Sequence, residues 1–353
     1  MTSMSTTKAR SAASHSADPH SYDTDSYDTD AETTQYNETL QLLSEGSVHK
    51  HFDPYVDIDW ESPEFAVTAG DRRWILPAKT DPIGGHAWYQ ALPEDKQIAI
   101  GMWRQANVAK VGLQFENILI RGMMQYVFSL PNGSAEARYC THESIEECNH
   151  TLMFQEMVNR VDSDAPGMSR PMKMISPVIP LFATLLPELF FVGVLAGEEP
   201  IDHIQKSILR SGEEIHPIMQ SVMAIHVAEE ARHISFAHQL LRRRVPKMSK
   251  VGRFFLSLAF PITMRILCDV IVIPPKKFWQ KFAIPKYVKD DLFWGTEASQ
   301  HALQDYFGDV RMLATETGMM NRPAKLMWKA CGIDGKASRF RSEPDRSSGQ
   351  FAA

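Results

Sequence analysis

From Pro93 to Leu130 apolar residues recur every three or four positions, and a Pro131-Asn132-Gly133 turn stops the run. The spacing predicts one long helix. Ser134 is placed to cap a second, running from about Ala137 to Val161. A proline-rich link leads to a third helix over Leu181–Arg210, with kinks expected at Pro187 and Pro200. A fourth covers Ile215–Arg244, and two or more fill Gly252–Thr317. No series of alternating positions reads as strands. The expected class is therefore all-α, a four-helix core with additional helices.

The flanks carry a different pattern. Residues 1–45 are rich in Ser, Thr, Asp and Ala and hold a direct repeat, Ser21-Tyr-Asp-Thr-Asp25 then Ser26-Tyr-Asp-Thr-Asp30. So little apolar surface does not offset the entropy of ordering, so a disordered tail is expected there and again over 335–353. Residues 46–92 are punctuated by Pro54, Pro63, Pro77, Pro82 and Gly84-Gly85. They read as an irregular arm, which Trp60, Trp74 and Trp88 should hold against the body. The bundle domain is placed at 93–334.

Totals alter this picture little. A net charge of −6 lacks the basic face that nucleic acid requires. Four scattered cysteines, Cys140, Cys148, Cys268 and Cys331, form no CxxC pair and fit a reducing compartment. With no apolar run in Met1–Pro19, the cytoplasm is the expected location. Two apolar stretches, Met174–Gly197 and Phe254–Ile273, contain prolines and charges. They read as buried or interfacial helices, not as membrane spans.

The densest chemistry is His226-Val-Ala-Glu-Glu230-Ala-Arg-His233. On a helix Glu230 stands about 40° from His226 and His233 within about 20° of it, so all three share one face. Ala224, Ile225, Ala228, Ile234, Phe236 and Ala237 surround them, which is no solvated surface. Glu147-Cys-Asn-His150 repeats the Glu-x-x-His spacing on another predicted helix. Two such copies, with one Glu from each of two further helices, make a two-metal carboxylate bundle. Glu116 lies in an apolar stripe of the first helix, where a lone carboxylate is costly unless paired or metal-bound. The last acid is Glu198 or Glu199. Because both Glu-x-x-His copies use the second acid of a Glu-Glu pair, the pattern leans toward Glu199. The plain alternative is a bundle whose buried acids pair with Arg121, Arg138, Arg160, Arg210 or Arg232.

In this order of motifs the sequence resembles the p-aminobenzoate N-oxygenases, the AurF-type arylamine oxygenases. The resemblance covers roughly residues 90–310 and implies a ferritin-like bundle holding two non-haem iron ions. It implies Glu116, Glu147, His150, Glu198 or Glu199, His226, Glu230 and His233 as ligands, with His226 as a third histidine beyond the usual two. Manganese in place of one iron stays open. An oxygenase of this kind takes dioxygen, a small-molecule substrate of arylamine type, and electrons from an external reductase or ferredoxin. A homodimer is also implied.

Other readings use the same bundle: a desaturase, hydroxylase or radical-generating subunit, which a deep apolar channel would favour, or a non-catalytic iron-binding protein. Among neighbouring residues, His203 and His238 read as ordinary, partly exposed histidines. Asp202 and Asp269 are candidates to brace a ligand imidazole. Cys148, Phe115, Met123, Met223 and Phe236 read as core, and Tyr139 as too remote for a radical site.

Overall fold

The computed structural model describes residues 31–161 and 164–341. The Ser21–Asp30 repeat and the final residues of the expected C-terminal tail lie outside them. The described residues are helices and connecting turns, with no strand among them, so the all-α class holds.

Four long helices form the core. They are α2 (Glu94–Val127), α3 (Ala135–Val161), α4 (Pro187–Arg210) and α5 (Pro217–Arg244), preceded by α1 (Ala31–His49). Ser134 accepts the Ala137 N–H at 3.1 Å and so starts α3 as its position predicts. His216 caps α5 through its side chain, with Pro217 in the first turn, where its missing N–H costs nothing. The expected third helix is broken at Leu186 (φ −144°, ψ 66°), the residue before Pro187. Pro200, by contrast, is absorbed within α4.

The N-terminal expectation needs correcting. Residues 31–45 are not a tail; they form most of α1, which packs on α3 and α5. Its apolar stripe is short, Tyr36, Leu40 and Leu43, but Ser44, Ser47 and Gly46 let the helix approach closely. The Tyr36 hydroxyl donates to Glu136 at 2.8 Å, and the Arg243 guanidinium lies over the Tyr36 ring at 4.6 Å. Polar contacts complete what hydrophobicity alone does not. Similarly, the first residues of the expected C-terminal tail are docked: Arg341 donates to the Ala231 carbonyl, and Arg311 to the Lys336 carbonyl.

Residues 50–92 form the arm, which contains short 3-10 turns and a helical turn at Ala87–Gln90. Trp60 and Trp74 are buried and Trp88 half-buried. Trp74 stacks on His216 with ring centroids 4.3 Å apart, beside a backbone bond from His216 to the Arg73 carbonyl. Gly101 of α2 is the contact point: a Cβ there would stand 1.8 Å from the Trp74 carbonyl oxygen.

After α5 the chain continues as α6 (Lys250–Val272), short helical turns, α7 (Glu297–Asp305), α8 (Gly308–Glu316) and α9 (Arg322–Ala330). α6 lies along α4 and α9. The stretch Lys250–Lys281, which begins with α6, is long and apolar enough to cross a membrane by length and composition alone. Yet one side is packed into the protein, with Leu256, Phe260, Met264 and Cys268 buried.

Candidate metal centre

Four helices deliver seven acidic and imidazole side chains to one buried place. α2 supplies Glu116, α3 Glu147 and His150, α4 Glu198, and α5 His226, Glu230 and His233. All seven are buried. Their ligand atoms fall into overlapping groups whose members lie within 4.8 Å of one another. One group is Glu147, His150, Glu230 and His233; the others join Glu116 and Glu198 to His150, His226, Glu147 and Glu230.

The doubt between the two acids of α4 resolves by geometry. Glu198 faces the cluster, whereas Glu199 turns away and accepts from His238 Nε2 at 2.6 Å. Adjacent helical residues point about 100° apart, so only one of them reaches the centre. The lean toward Glu199 is thus corrected. Glu198→Gln is expected to lower the metal content of the purified chain, while Glu199→Gln leaves it unchanged. Elemental analysis of both variants decides, and the reverse pattern would restore Glu199.

Distances within the cluster fit shared ligation. His233 Nδ1 lies 2.8 Å from Glu147 Oε1 and 3.2 Å from Glu230 Oε1. His150 Nδ1 lies 3.1 Å from Glu147 Oε2, and His226 Nε2 lies 3.6 Å from both Glu116 Oε1 and Glu230 Oε1. Two ligands at about 2.1 Å from one ion, seen at 90–120°, stand roughly 3.0–3.6 Å apart. Moreover, Glu116 Oε2 and Glu230 Oε2 are buried with no hydrogen-bond partner among the described residues. Such atoms are costly unless something positive reaches them.

Acids and imidazoles crowded in one buried place shift one another. Burial, with the Glu147 and Glu198 charges behind it, pushes the Glu116 carboxyl well above the usual carboxylate range. Glu198 is raised in the same way by burial and by Glu230 and Glu147. Burial also opposes the Glu147 charge, but the His233 and His150 imidazoles outweigh it and hold that carboxyl well below its ordinary value. Burial brings His226 down to about 4 and keeps it a neutral donor. His150 goes the other way, to about 10, because its bonds to Glu147 and Glu229 outweigh burial. Among the described residues, none of the seven pairs with an arginine. Arg160 is taken by Glu61 and Glu156, and Arg232 by the outer acids Glu146 and Glu229.

Those outer acids were not singled out by sequence reasoning. Glu146 of α3 reaches His233 of α5 (Nε2 at 2.7 Å), and Glu229 of α5 reaches His150 of α3 (Nε2 at 2.9 Å). Each carboxylate fixes a ligand ring from behind, as an anion beyond a metal-binding imidazole does. The signal was present in the Glu146-Glu147 and Glu229-Glu230 doublets. Gln205 performs this service for His226, with Oε1 2.9 Å from Nδ1. The arm joins in, since the Phe52 N–H donates to Glu229 at 3.2 Å.

The earlier candidates for bracing are otherwise engaged. Asp202 pairs with Lys206, and Asp269 takes Arg265 and the Trp294 indole. His238 is fully buried rather than partly exposed, and His203 stays half-buried beside Tyr306. Cys148 is exposed, contrary to a core position. Met123 and Phe236 are core, Phe236 between Tyr139 and Phe191. Met223 is core as well and Phe115 packs against the core, and both also line a cavity.

That cavity, about 80 Å³, reaches Glu116, Glu198 and His226. It runs along α2 between α4 and α5, walled by apolar residues such as Phe154, Ile201 and Met219. At its far end Arg104 Nε donates to Asp81 at 2.7 Å. A second cavity of about 230 Å³ approaches from the other side, shares Phe115, Gly197 and Glu198, and is almost entirely apolar.

Residues 33–318 match the family model for p-aminobenzoate N-oxygenase AurF. The match takes in α1 and the arm as well as the bundle, so it extends beyond the 90–310 that motifs alone suggested. Among curated relatives, an uncharacterized protein of Mycobacterium tuberculosis, Rv0885, is 63% identical over 315 residues, 89% of this chain and 92% of that one. An uncharacterized protein of Mycobacterium bovis, Mb0909, is similar to the same extent. With the match spanning all four helices that build the centre, the chain belongs to the p-aminobenzoate N-oxygenase AurF family.

Proposed function

We propose that the chain is a di-iron oxygenase that activates dioxygen and oxidises a small molecule, an arylamine being the substrate type that family membership suggests. The observation that carries the reading is the convergence of four carboxylates and three imidazoles from four helices, with partnerless carboxylate oxygens aimed inward. Carboxylate-rich ligation with imidazole suits iron or manganese. Glu116, Glu147, His150, Glu198, His226, Glu230 and His233 would hold an iron pair, which would supply redox chemistry toward dioxygen with electrons from an external donor.

The chain's own residues do the rest. Glu146, Glu229 and Gln205 hold the three imidazoles in one ring orientation each. Because Glu116, Glu198 and His226 also face the cavities, a substrate seated there meets the centre on that side. The apolar walls exclude water from the reacting position.

The test is to load the purified chain with ferrous iron, count metal, reduce it without air, and admit dioxygen while recording visible spectra. About two irons per chain are expected, with a transient absorption followed by oxygen insertion into p-aminobenzoate or another arylamine, read by product mass. Zinc alone, or no uptake of ferrous iron, would sink the di-iron reading. A second reading, hydroxylation or desaturation of an apolar chain, is favoured by the apolar cavity that ends on Glu198. Oxidation of a fatty acyl substrate in place of any arylamine would select it.

A further inference from the structure

The outside of the molecule near the second cavity is unusual. Two segments meet at its mouth: 170–186, which includes the short helix Arg170–Ile175, and α6. Met174, Val178, Leu181 and Leu185 are exposed on the first, Met174 by 79% and Leu185 by 71%. Val251, Phe255, Ile262 and Ile266 are exposed on the second, Val251 by 67% and Phe255 by 63%. The cavity itself is lined at this end by Ile175, Phe182 and Ile266, and at its inner end by Glu198. Scattered apolar residues are ordinary on a surface, but a contiguous patch marks an interaction site.

Charge says what kind. Residues 165–187 and 245–268 contain no Asp or Glu. They contain Arg170, Lys173, Lys247, Lys250, Arg253 and Arg265, in a chain whose net charge is −6. Arg265 is occupied by Asp269 and the Cys331 carbonyl, and Lys173 donates to the Pro166 carbonyl; Arg170, Lys247, Lys250 and Arg253 flank the exposed apolar residues along the chain. An apolar surface whose two segments carry cations and no acid fits an anionic lipid bilayer, which offers acyl chains below and phosphates above. A second copy fits worse, because a two-fold contact sets the same basic segments against themselves. The inner side of α6 is packed against α4, so the helix can lie in the interface but not span it.

We propose that the 170–186 and α6 face docks on an anionic membrane surface, over the mouth of the cavity that leads to Glu198. Docking stands on this surface alone. Its further consequence, that an apolar substrate dissolved in the bilayer enters through this mouth, rests on the oxygenase reading above.

The test is flotation of the full chain with vesicles of phosphatidylcholine containing about 30 mol% phosphatidylglycerol, against pure phosphatidylcholine. At least about tenfold more protein is expected to float with the anionic vesicles, and the excess should fall in about 0.5 M salt. Val251→Asp/Phe255→Asp, on side chains that make little contact with the core, is expected to lower flotation about tenfold while metal content and far-UV circular dichroism stay unchanged. Lys247→Glu/Lys250→Glu should remove the preference for anionic lipid. Absence of flotation, or flotation indifferent to both variants, would overturn the proposal. So would sedimentation showing a dimer that Val251→Asp/Phe255→Asp splits while vesicles take up none; the face would then join two copies. Since no readout depends on turnover, failure here leaves the oxygenase reading standing, and failure of that reading leaves this one.

Discussion

Glu230→Ala is expected to abolish metal retention, taking the chain from about two ions to fewer than one under conditions that load the wild type. The size follows from position. Glu230 belongs to the group with Glu147, His150 and His233 and also to the group with Glu198 and His226. Its Oε1 lies 3.2, 3.5 and 3.6 Å from the facing nitrogens of His233, His150 and His226. No other acid of the cluster stands that close to all three imidazoles, so its loss weakens every part of the site. An affinity change beyond the 10–100-fold typical of an outer partner is anticipated. A thermal signature should accompany it: metal at about a thousand times its dissociation constant adds roughly 4 kcal/mol to wild-type stability, and none to the variant. Glu229→Gln is the graded control, since it removes the charge behind His150 and keeps most of the shape. Full metal content in Glu230→Ala, by elemental analysis, would mean that the cluster is not the metal site.

The second large effect is structural. Gly101→Ala places a methyl group 1.8 Å from the Trp74 carbonyl oxygen, a backbone atom that cannot swing aside. Helix propensity favours the alanine by about 1 kcal/mol, but forcing the arm off α2 costs more, of order 1–3 kcal/mol or above. Trp74 also stacks on His216, the cap of α5, so the damage passes to the helix that carries three of the seven cluster residues. A melting temperature several degrees lower is expected by calorimetry. Gly193→Ala in α4 should behave oppositely, because a Cβ there meets nothing within 4 Å. If Gly101→Ala proved as stable as wild type, the arm would not be seated on α2 as described.

How much of this was legible in the residues differs from part to part. The bundle helices announce themselves through apolar periodicity, and two Glu-x-x-His spacings require no tertiary information to share a face. α1 was invisible for the opposite reason. Its stability comes from small residues allowing close approach and from tyrosine contacts with Glu136 and Arg243, none of which periodicity scores. Glu198 and Glu199 illustrate a pattern carried too far. In the other doublets the second acid faces inward, but here His238 of α5 stands where it captures Glu199. Which of two neighbouring acids faces the centre depends on how the helix is rotated against its partners, and that is set by packing. The cavities belong to the same class, being the space left between helices.

The crossed carboxylates have a consequence for how the centre comes into being. His150 is steadied by an acid of α5, and His233 by an acid of α3. Neither Glu-Glu-x-x-His segment therefore contains the means to aim its own imidazole. A peptide copy of one segment, or one grafted onto a foreign bundle, lacks the hand that holds its ring. Each helix is the jig for the other, so the pair can be inherited or transplanted only together.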